Sequence, residues 1–391
     1  NAAHAGTVSQ MPLFLSTAAE PNVILGIDNS GSMDFEVLAP TNDGAYWWND
    51  ATQSFVGCDL NDVCTSPTSS DTFNFNKAGS FGVGNNVPLL KYAYLFPFPG
   101  VNIRNGGYPS VSAQGHYFIP PLPQYAWARS PDFNNAYFNP TVTYTPWLNA
   151  NGTPVYTAFD AQGDINPAAA PDDPFLYPST TLNLTSTLGG PLGGTTAPTW
   201  PGFMLQGGMT LPAGTVVWNP NGNSDTGGWQ TILIPDTIPD GTFKNSTYFV
   251  GTNNDGSTQA QYLAIAYFPA TFWLKATDSL PSNYGYIGVP LAGTGPALEP
   301  MLGYQIQPAN FASAAQYTAA IQNFANWFSY YRKRHLALRA SLSQTFVGLS
   351  NMRVSCAFMD SNSNGCPVQG SGNLTMYDLN NAAQKATFFS N

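Results

Sequence analysis

The amino-acid sequence predicts an α/β protein in which a large, mostly-β insertion separates the first strand from the first helix. At its two ends the chain alternates between strand patterns and helix patterns, which is typical of an α/β sheet. Between them lie short apolar runs bounded by glycine and proline, which predict strands and turns. We therefore predict three regions: 1–38 with the first strand, 39–305 as the insertion, and 306–391 with the first long helix, a second strand and the start of a second helix.

The composition is that of a chain that can fill a core. Of its 391 residues, 43% are hydrophobic and 14% aromatic, although only 9% are charged. The formal net charge is −10, so no basic face can neutralise phosphates, and nucleic-acid binding is not expected. No apolar run reaches the length of a membrane-spanning helix, so we expect no membrane span.

The first elements are two apolar segments, "MPLFLS" (11–16) and "NVILGID" (22–28). The second is short and contains β-branched residues, as a central strand of a parallel sheet does. In the insertion, "TVTYTPW" (141–147), "GTVVWNP" (214–220) and "WQTILIP" (229–235) predict short strands. The aromatic residues of this region are expected to fill its core; the alternative is exposed rings that stack on sugars.

A long helix is predicted from the apolar stripe in 309–351. Its apolar or packed residues recur at steps of three and four, and His335 belongs to this stripe. Asn310 is the predicted cap, and Gly348 with Asn351 the predicted end. A basic cluster on this helix is expected to be a solvated face, with a binding patch for an acidic partner as the alternative; its members are Arg332, Lys333, Arg334 and Arg339.

The last elements follow the long helix in the order strand, short strand, helix. A strand is predicted at "MRVSCAFM" (352–359), a short strand near "LTMY" (374–377) and a helix over "LNNAAQKATFF" (379–389). This order completes the α/β pattern of the two chain ends.

Four cysteines predict disulfide bonds and an oxidising compartment. They form two pairs that are close in sequence, Cys58 with Cys64 and Cys356 with Cys366, and neither pair has the spacing of a zinc site. Free thiols in a cytosolic protein are the alternative. The acidic segment 59–62 inside the first pair could bind calcium, but a disulfide-pinned surface loop fits its spacing better.

An acid and two hydroxyls follow the strand at 22–28. Asp28, Ser30 and Ser32 form the pattern D-x-S-x-S. Ligands of open α/β sheets bind at the carboxyl ends of the strands, and hard oxygen donors suit a hard divalent cation. The motif therefore predicts a site for Mg²⁺, with Mn²⁺ or Ca²⁺ as alternatives to it. A serine-rich turn or a helix N-cap is the structural alternative.

Serine hydrolysis is not expected of this motif. "DNSGS" lacks the G-x-S-x-G elbow, and the chain has only three histidines, none of which is an evident catalytic base. We therefore predict that the protein is not an enzyme.

The pattern Asp28-x-Ser30-x-Ser32-Met33 after an apolar strand resembles the metal-ion-dependent adhesion site of von Willebrand factor type A domains. The resemblance implies a Rossmann-like sheet. It also implies that Ser30 and Ser32 bind the cation directly and that Asp28 binds it directly or through water. Such domains usually add a threonine and an aspartate from two further loops, and we expect these beyond Asn391.

Longer segments resemble the PilY family of type IV pilus tip and biogenesis proteins. They are 7–38, 134–147, 324–346 and 377–391, and the family often has Trp where this chain has Phe35. The resemblance implies an exported bacterial protein that passes through the periplasm to the pilus tip. It also implies a C-terminal β-propeller, so this chain is expected to be an N-terminal part of a longer protein.

The same resemblance implies the partners: minor pilins, and a ligand on a host cell or an abiotic surface. The expected function is adhesion and pilus assembly. Two hypotheses follow. In the first, the cation site binds the surface ligand; in the second, the chain is a structural component that primes assembly, and the site takes no part in ligand binding. In the second hypothesis, the N-terminal strand or the insertion would dock on the minor pilins.

Overall fold

The computed structural model describes residues 20–29, 31–38, 47–49, 54–56, 93–96, 117–190, 192–195, 203–205, 210–219, 228–233, 236–237, 261–359 and 374–390. The strands in these ranges are β1 (Asn22–Ile27), β2 (Trp47–Asn49), β3 (Ser54–Val56), β4 (Ala93–Tyr94), β5 (Tyr117–Phe118), β6 (Ala170–Asp173), β7 (Tyr177–Leu182), β8 (Phe203–Leu205), β9 (Thr210–Leu211), β10 (Val216–Asn219), β11 (Gly228–Thr231), β12 (Asp236–Thr237), β13 (Gln261–Leu263), β14 (Thr271–Lys275), β15 (Leu291–Thr294), β16 (Pro300–Gln305), β17 (Arg353–Phe358) and β18 (Tyr377–Asp378).

The helices of the described part are α1 (Ala314–Tyr330), α2 (Arg334–Val347) and α3 (Ala382–Ser390). Short 3₁₀ helices lie at Gly31–Asp34, Pro123–Arg129, Pro167–Ala169 and Pro308–Asn310, and the second of them is kinked at Tyr125. Several small sheets and a few helices make this a mixed α/β protein, as predicted.

The chain divides into two compact units. The first unit comprises Asn1–Ser30, Leu148–Thr153 and Leu342–Asn391, and the second comprises Gly31–Trp147 and Pro154–Ser341. The division differs from the predicted boundary near residue 306, because α1 belongs to the same unit as the insertion.

The first unit contains a three-stranded sheet in the order β1-β17-β18. β1 and β17 run parallel, from Asn22 opposite Arg353 to Ile27 opposite Phe358, and β18 is antiparallel to β17. The predicted strands at 22–28 and 352–359 and the predicted terminal helix are therefore confirmed. Among the described residues of this unit, a small core is built around the buried side chains Phe346, Val354, Tyr377 and Leu379.

The second unit has a larger core that is rich in aromatic rings. Trp327 of α1 lies at its centre, with ring centroids 4.7 Å from Tyr137 and 5.0 Å from Phe324. The insertion itself contributes buried rings to this core, among them Tyr137, Phe138 and Phe272, so the expectation that its aromatic residues fill a core holds for them. The predicted strands at 214–220 and 229–235 are also confirmed, because β10 and β11 form an antiparallel hairpin.

The predicted strand at 141–147 is wrong, because helix α1 supplies the hydrogen bonds that a partner strand would make. The Asn323 side chain accepts from the Tyr144 N–H at 2.8 Å and donates to the Val142 carbonyl at 2.8 Å. The Asn326 side chain donates to the Tyr144 carbonyl at 3.2 Å. Two asparagines on one helix face therefore satisfy an irregular backbone segment.

The single long helix predicted over 309–351 is two helices. Ser313, and not Asn310, caps the first, and its hydroxyl accepts from the Gln316 N–H. The predicted end is confirmed, because α2 ends at Val347, directly before Gly348. The break falls between Tyr330 and Arg334.

Candidate functional site

Asp28 directly follows β1 and is half-buried. The backbone of Ser32 lies in the 3₁₀ turn Gly31–Asp34, whereas its side chain and the whole of Ser30 lie outside the described residues. Asp28 belongs to the first unit and Ser32 to the second. The three predicted cation ligands are therefore placed only in part, and their joint geometry stays a prediction.

The position of Asp28 follows from the register of β1 and β17. Because the two strands are parallel, their carboxyl ends meet at the same edge of the sheet. The Met359 N–H donates to the Ile27 carbonyl at 3.1 Å and extends the pairing to the last residue before Asp28. The carboxylate therefore follows the strand at the sheet edge where α/β proteins bind ligands.

The residues after Ser32 are held by a turn between the two long helices. We call Met33–Leu38 the post-motif segment and Arg332–His335 the basic turn. Each residue of the basic turn contacts a different residue of the post-motif segment, all within the second unit.

Arg332 is fully buried and binds two acids. Its Nε lies 2.7 Å from Glu36 Oε1, and its Nη2 donates to the Asp172 carboxylate of β6. Its Nη1 donates to the Phe328 carbonyl at 2.7 Å, and its guanidinium lies 3.7 Å from the centre of the Phe328 ring. The planar guanidinium thus connects the post-motif segment, the insertion and α1.

Lys333 is 5% exposed and bridges the same two regions. Its Nζ lies 3.0 Å from Asp172 Oδ2 and 3.2 Å from Asp34 Oδ1. The Tyr94 hydroxyl donates to the other oxygen of Asp34 at 3.3 Å. Asp34, which is two residues beyond Ser32, therefore has a partner at each of its oxygens.

Arg334 and His335 hold the backbone of the post-motif segment. Arg334 Nη2 donates to the Val37 carbonyl at 3.0 Å. His335 Nδ1 lies 3.0 Å from the Met33 carbonyl, and its Nε2 lies 3.3 Å from Asp173 Oδ2. Because both ring nitrogens face acceptors, His335 can donate to both only as the protonated imidazolium. The expectation of a packed histidine within a helix is consistent with this position.

Glu36 also anchors neighbouring backbone. Its Oε2 accepts from the N–H groups of Leu95 and Phe96, the latter at 3.1 Å. Asn134 closes the segment, since its Nδ2 donates to the Glu36 carbonyl at 3.0 Å and its Oδ1 accepts from the Leu38 N–H at 2.9 Å. Side chains from several elements therefore fix this short segment.

Burial and charge act in opposite directions on these acids. Burial raises the pKa of Glu36 and outweighs the nearby Arg332. Burial would also raise the pKa of Asp172, but Lys333 and Arg332 outweigh it and lower that pKa. For Lys333, burial favours the neutral amine, yet Asp172 and Asp34 raise its pKa to about 12. The shifts therefore favour the charged forms of Asp172 and Lys333, whereas burial favours the protonated form of Glu36.

The predicted solvated basic face is wrong for Arg332 and Lys333, which are buried and paired. It holds better for Arg339, whose side chain is 39% exposed. Arg332 and Lys333 lie between the end of α1 at Tyr330 and the start of α2 at Arg334, and there they reach the buried acids. The available signal in the sequence was the pair of acids in "SMDFEVL", since carboxylates in an apolar stretch need partners.

Cys356 is buried in β17 and is disulfide-bonded. Its pairing with Cys366 stays a prediction, because Cys366 lies outside the described residues, as do Cys58, Cys64 and the acidic segment 59–62.

Each helix in the described part of the chain is too short or too polar to span a membrane. The same residues include no group of three or more His, Cys, Asp or Glu side chains that could hold a metal ion. Serine hydroxyls, on which the predicted cation site depends, are not among those ligand types.

No protein family, no curated protein and no solved structure matches the chain.

Proposed function

We propose that the chain is the von Willebrand factor type A region of a PilY-type pilus tip protein and that Asp28, Ser30 and Ser32 hold a divalent cation. The observation that carries the proposal is the position of Asp28. The acid directly follows a strand that runs parallel to β17, so it lies at the carboxyl edge of the sheet. The cation site would serve adhesion, and minor pilins would be assembly partners.

The strand order supports the fold in this proposal. Counted from the β18 edge, the strands of the sheet are β18, β17 and β1, which are the third, second and first of the three along the chain. This 3-2-1 order is that of one half of a doubly wound sheet. The antiparallel direction of β18 departs from an all-parallel sheet. In a complete doubly wound sheet the strand that Asp28 follows would be central, whereas β1 lies at an edge of the described three-stranded sheet.

The donor set fits a hard cation. A carboxylate and two hydroxyls offer oxygen atoms, which Mg²⁺ and Mn²⁺ prefer over softer ligands. Ser30 and Ser32 would bind the cation, and Asp28 would bind it directly or through water. When bound, the cation would supply a Lewis-acidic position for an oxygen of a surface ligand.

A calorimetric titration with Mn²⁺ and Mg²⁺ tests the cation site. We would titrate this chain and a version extended past Asn391, each as wild type, as Asp28→Ala and as the control Asp278→Ala, which removes an exposed acid. The proposal predicts saturable binding that Asp28→Ala abolishes and Asp278→Ala leaves unchanged. Absence of binding by both wild-type proteins would refute the cation site and favour the structural role in pilus assembly.

A further inference from the structure

We propose that the basic turn positions the cation-binding motif by holding the residues that follow Ser32. This inference rests on the proposed function. It assigns a positioning role to Lys333 and His335, neither of which is expected to touch the cation. Their contacts to Asp34 and to the Met33 carbonyl are the two described contacts of the basic turn nearest in sequence to Ser32.

The contacts follow one another along both stretches of chain. His335 meets Met33, Lys333 meets Asp34, Arg332 meets Glu36 and Arg334 meets Val37. Four consecutive residues thus bind four of the first five residues after Ser32. The 3₁₀ turn that contains Ser32 ends at Asp34, so the first two of these contacts fix the end of that turn.

The free energy of buried ion pairs suggests that this cluster fixes the position of the post-motif segment more than it raises the stability of the fold. Burying an ion pair has a desolvation cost that the attraction between the charges often only offsets, whereas apolar residues of the same volume would stabilise a core as well. Buried charges with several directional partners instead define one arrangement. Side chains that hydrogen-bond directly to metal ligands commonly change metal affinity by 10–100-fold when they are removed. The basic turn acts one step further away, on the residues that directly follow Ser32.

Phe35 adds an apolar contact to the same segment. Its ring is buried and meets the Tyr94 ring edge-on, with centroids 5.7 Å apart. Tyr94 also binds Asp34, so one residue holds two neighbours in the post-motif segment. The segment is therefore fixed between the basic turn on one side and Tyr94 with its neighbours on the other.

The test compares His335→Gln and Lys333→Met with the control Arg353→Gln, which removes a positive charge from a side chain that is 56% exposed. Hydrogen exchange of peptides over 31–38 and over α1 reports the position of the segment without any metal. Mn²⁺ titration of the same variants, in the extended chain, reports the site. Because Lys333→Met leaves Asp34 and Asp172 without this cation and could unfold the unit, His335→Gln provides the milder second variant.

We expect faster exchange in 31–38 with α1 still protected, and Mn²⁺ affinity that is on the order of tenfold weaker in both variants but unchanged in Arg353→Gln. Unchanged exchange in 31–38 would overturn the proposal, as would faster exchange with unchanged Mn²⁺ affinity. Failure of the wild type to bind Mn²⁺ would instead refute the proposed function, and with it the positioning of a cation ligand, whatever the exchange shows.

Discussion

The cores of the two compact units differ in size and in the kind of side chain that they bury. The first unit buries a few apolar side chains around β17 and β18. The second buries many aromatic rings, and with them the charges of Arg332, Lys333, Glu36 and Asp172. A core of the second kind requires partners for every charge, so it fixes the chain at particular residues, whereas the first is fixed mainly by shape.

The difference shows why the location of α1 is not evident from its sequence. The stripe of Ile321, Phe324 and Phe328 predicts that a helix buries one face, and this face is buried. The periodicity does not indicate which part of the chain packs against this face. In the structure the stripe packs with the aromatic residues of the insertion, and the helix belongs to the second unit.

The largest expected effect is in the aromatic core. Trp327→Ala should lower the free energy of unfolding of the second unit by about 4 kcal/mol, because it removes a buried indole and leaves a cavity. It also removes the Nε1 donor to the Ala136 carbonyl at 3.0 Å. Urea unfolding measures the change, with Val289→Ala, at a site 90% exposed, as the control that should cost little. Equal costs for the two variants would contradict the assigned core.

The next effect is in the ion pairs. Arg332→Met keeps the length of the side chain but leaves Glu36 and Asp172 without a guanidinium, which should cost about 3 kcal/mol. Arg353→Met removes an exposed charge and should change the free energy of unfolding by less than about 0.5 kcal/mol. A cost for Arg332→Met as small as that of the control would show that the buried pairs do not distinguish the second unit.

Acid should weaken the second unit through Asp173. Burial alone would raise the pKa of its carboxyl group, but hydrogen bonds from His335 and from the Leu176 and Phe175 N–H groups lower it from 3.8 to about 2. The folded state therefore gains about 2 kcal/mol from this carboxylate above pH 4, and loses it as the pH falls through 2.

Urea unfolding of wild type and Asp173→Asn at pH 5 and pH 2 measures this contribution. The wild type should lose more stability than the variant over that interval. The difference between them isolates Asp173 from Glu36, whose raised pKa acts in the opposite direction. A wild type and variant with the same pH dependence would contradict the assigned ion pairs.

The smallest effect is expected in the first unit. Phe346→Leu removes a ring whose centroid lies 5.4 Å from that of Phe388, but leaves an apolar side chain in the same place. We expect a cost of about 1 kcal/mol, measured by hydrogen exchange in β17. A cost equal to that of Trp327→Ala would erase the difference between the two cores.

Much of the local structure could be predicted from the sequence. β1, β17 and α3 follow from short apolar runs and a terminal helical pattern, because those patterns depend on neighbours in the chain. The break at 331–333 and the irregular segment at 141–147 could not, since both depend on partners far away in sequence. Arg332 meets an acid 296 residues earlier, and Asn323 meets Tyr144 across 179 residues.

The candidate site, like the fold, could be predicted from the sequence only where it depends on neighbouring residues in the chain. The position of Asp28 at the end of a parallel strand follows from the apolar run before it. The role of the basic turn does not follow from the sequence, because a run of basic residues on a helical pattern is usually solvated. Only the acids at positions 34 and 36 pointed to buried partners.

The most direct test of the account is hydrogen exchange of the chain extended past Asn391, with and without saturating Mn²⁺. The account predicts slower exchange in the peptides that cover 28–38, and no change in them when Asp28→Ala is tested under the same conditions. Unchanged exchange in 28–38 on addition of Mn²⁺, or the same slowing in Asp28→Ala, would contradict it.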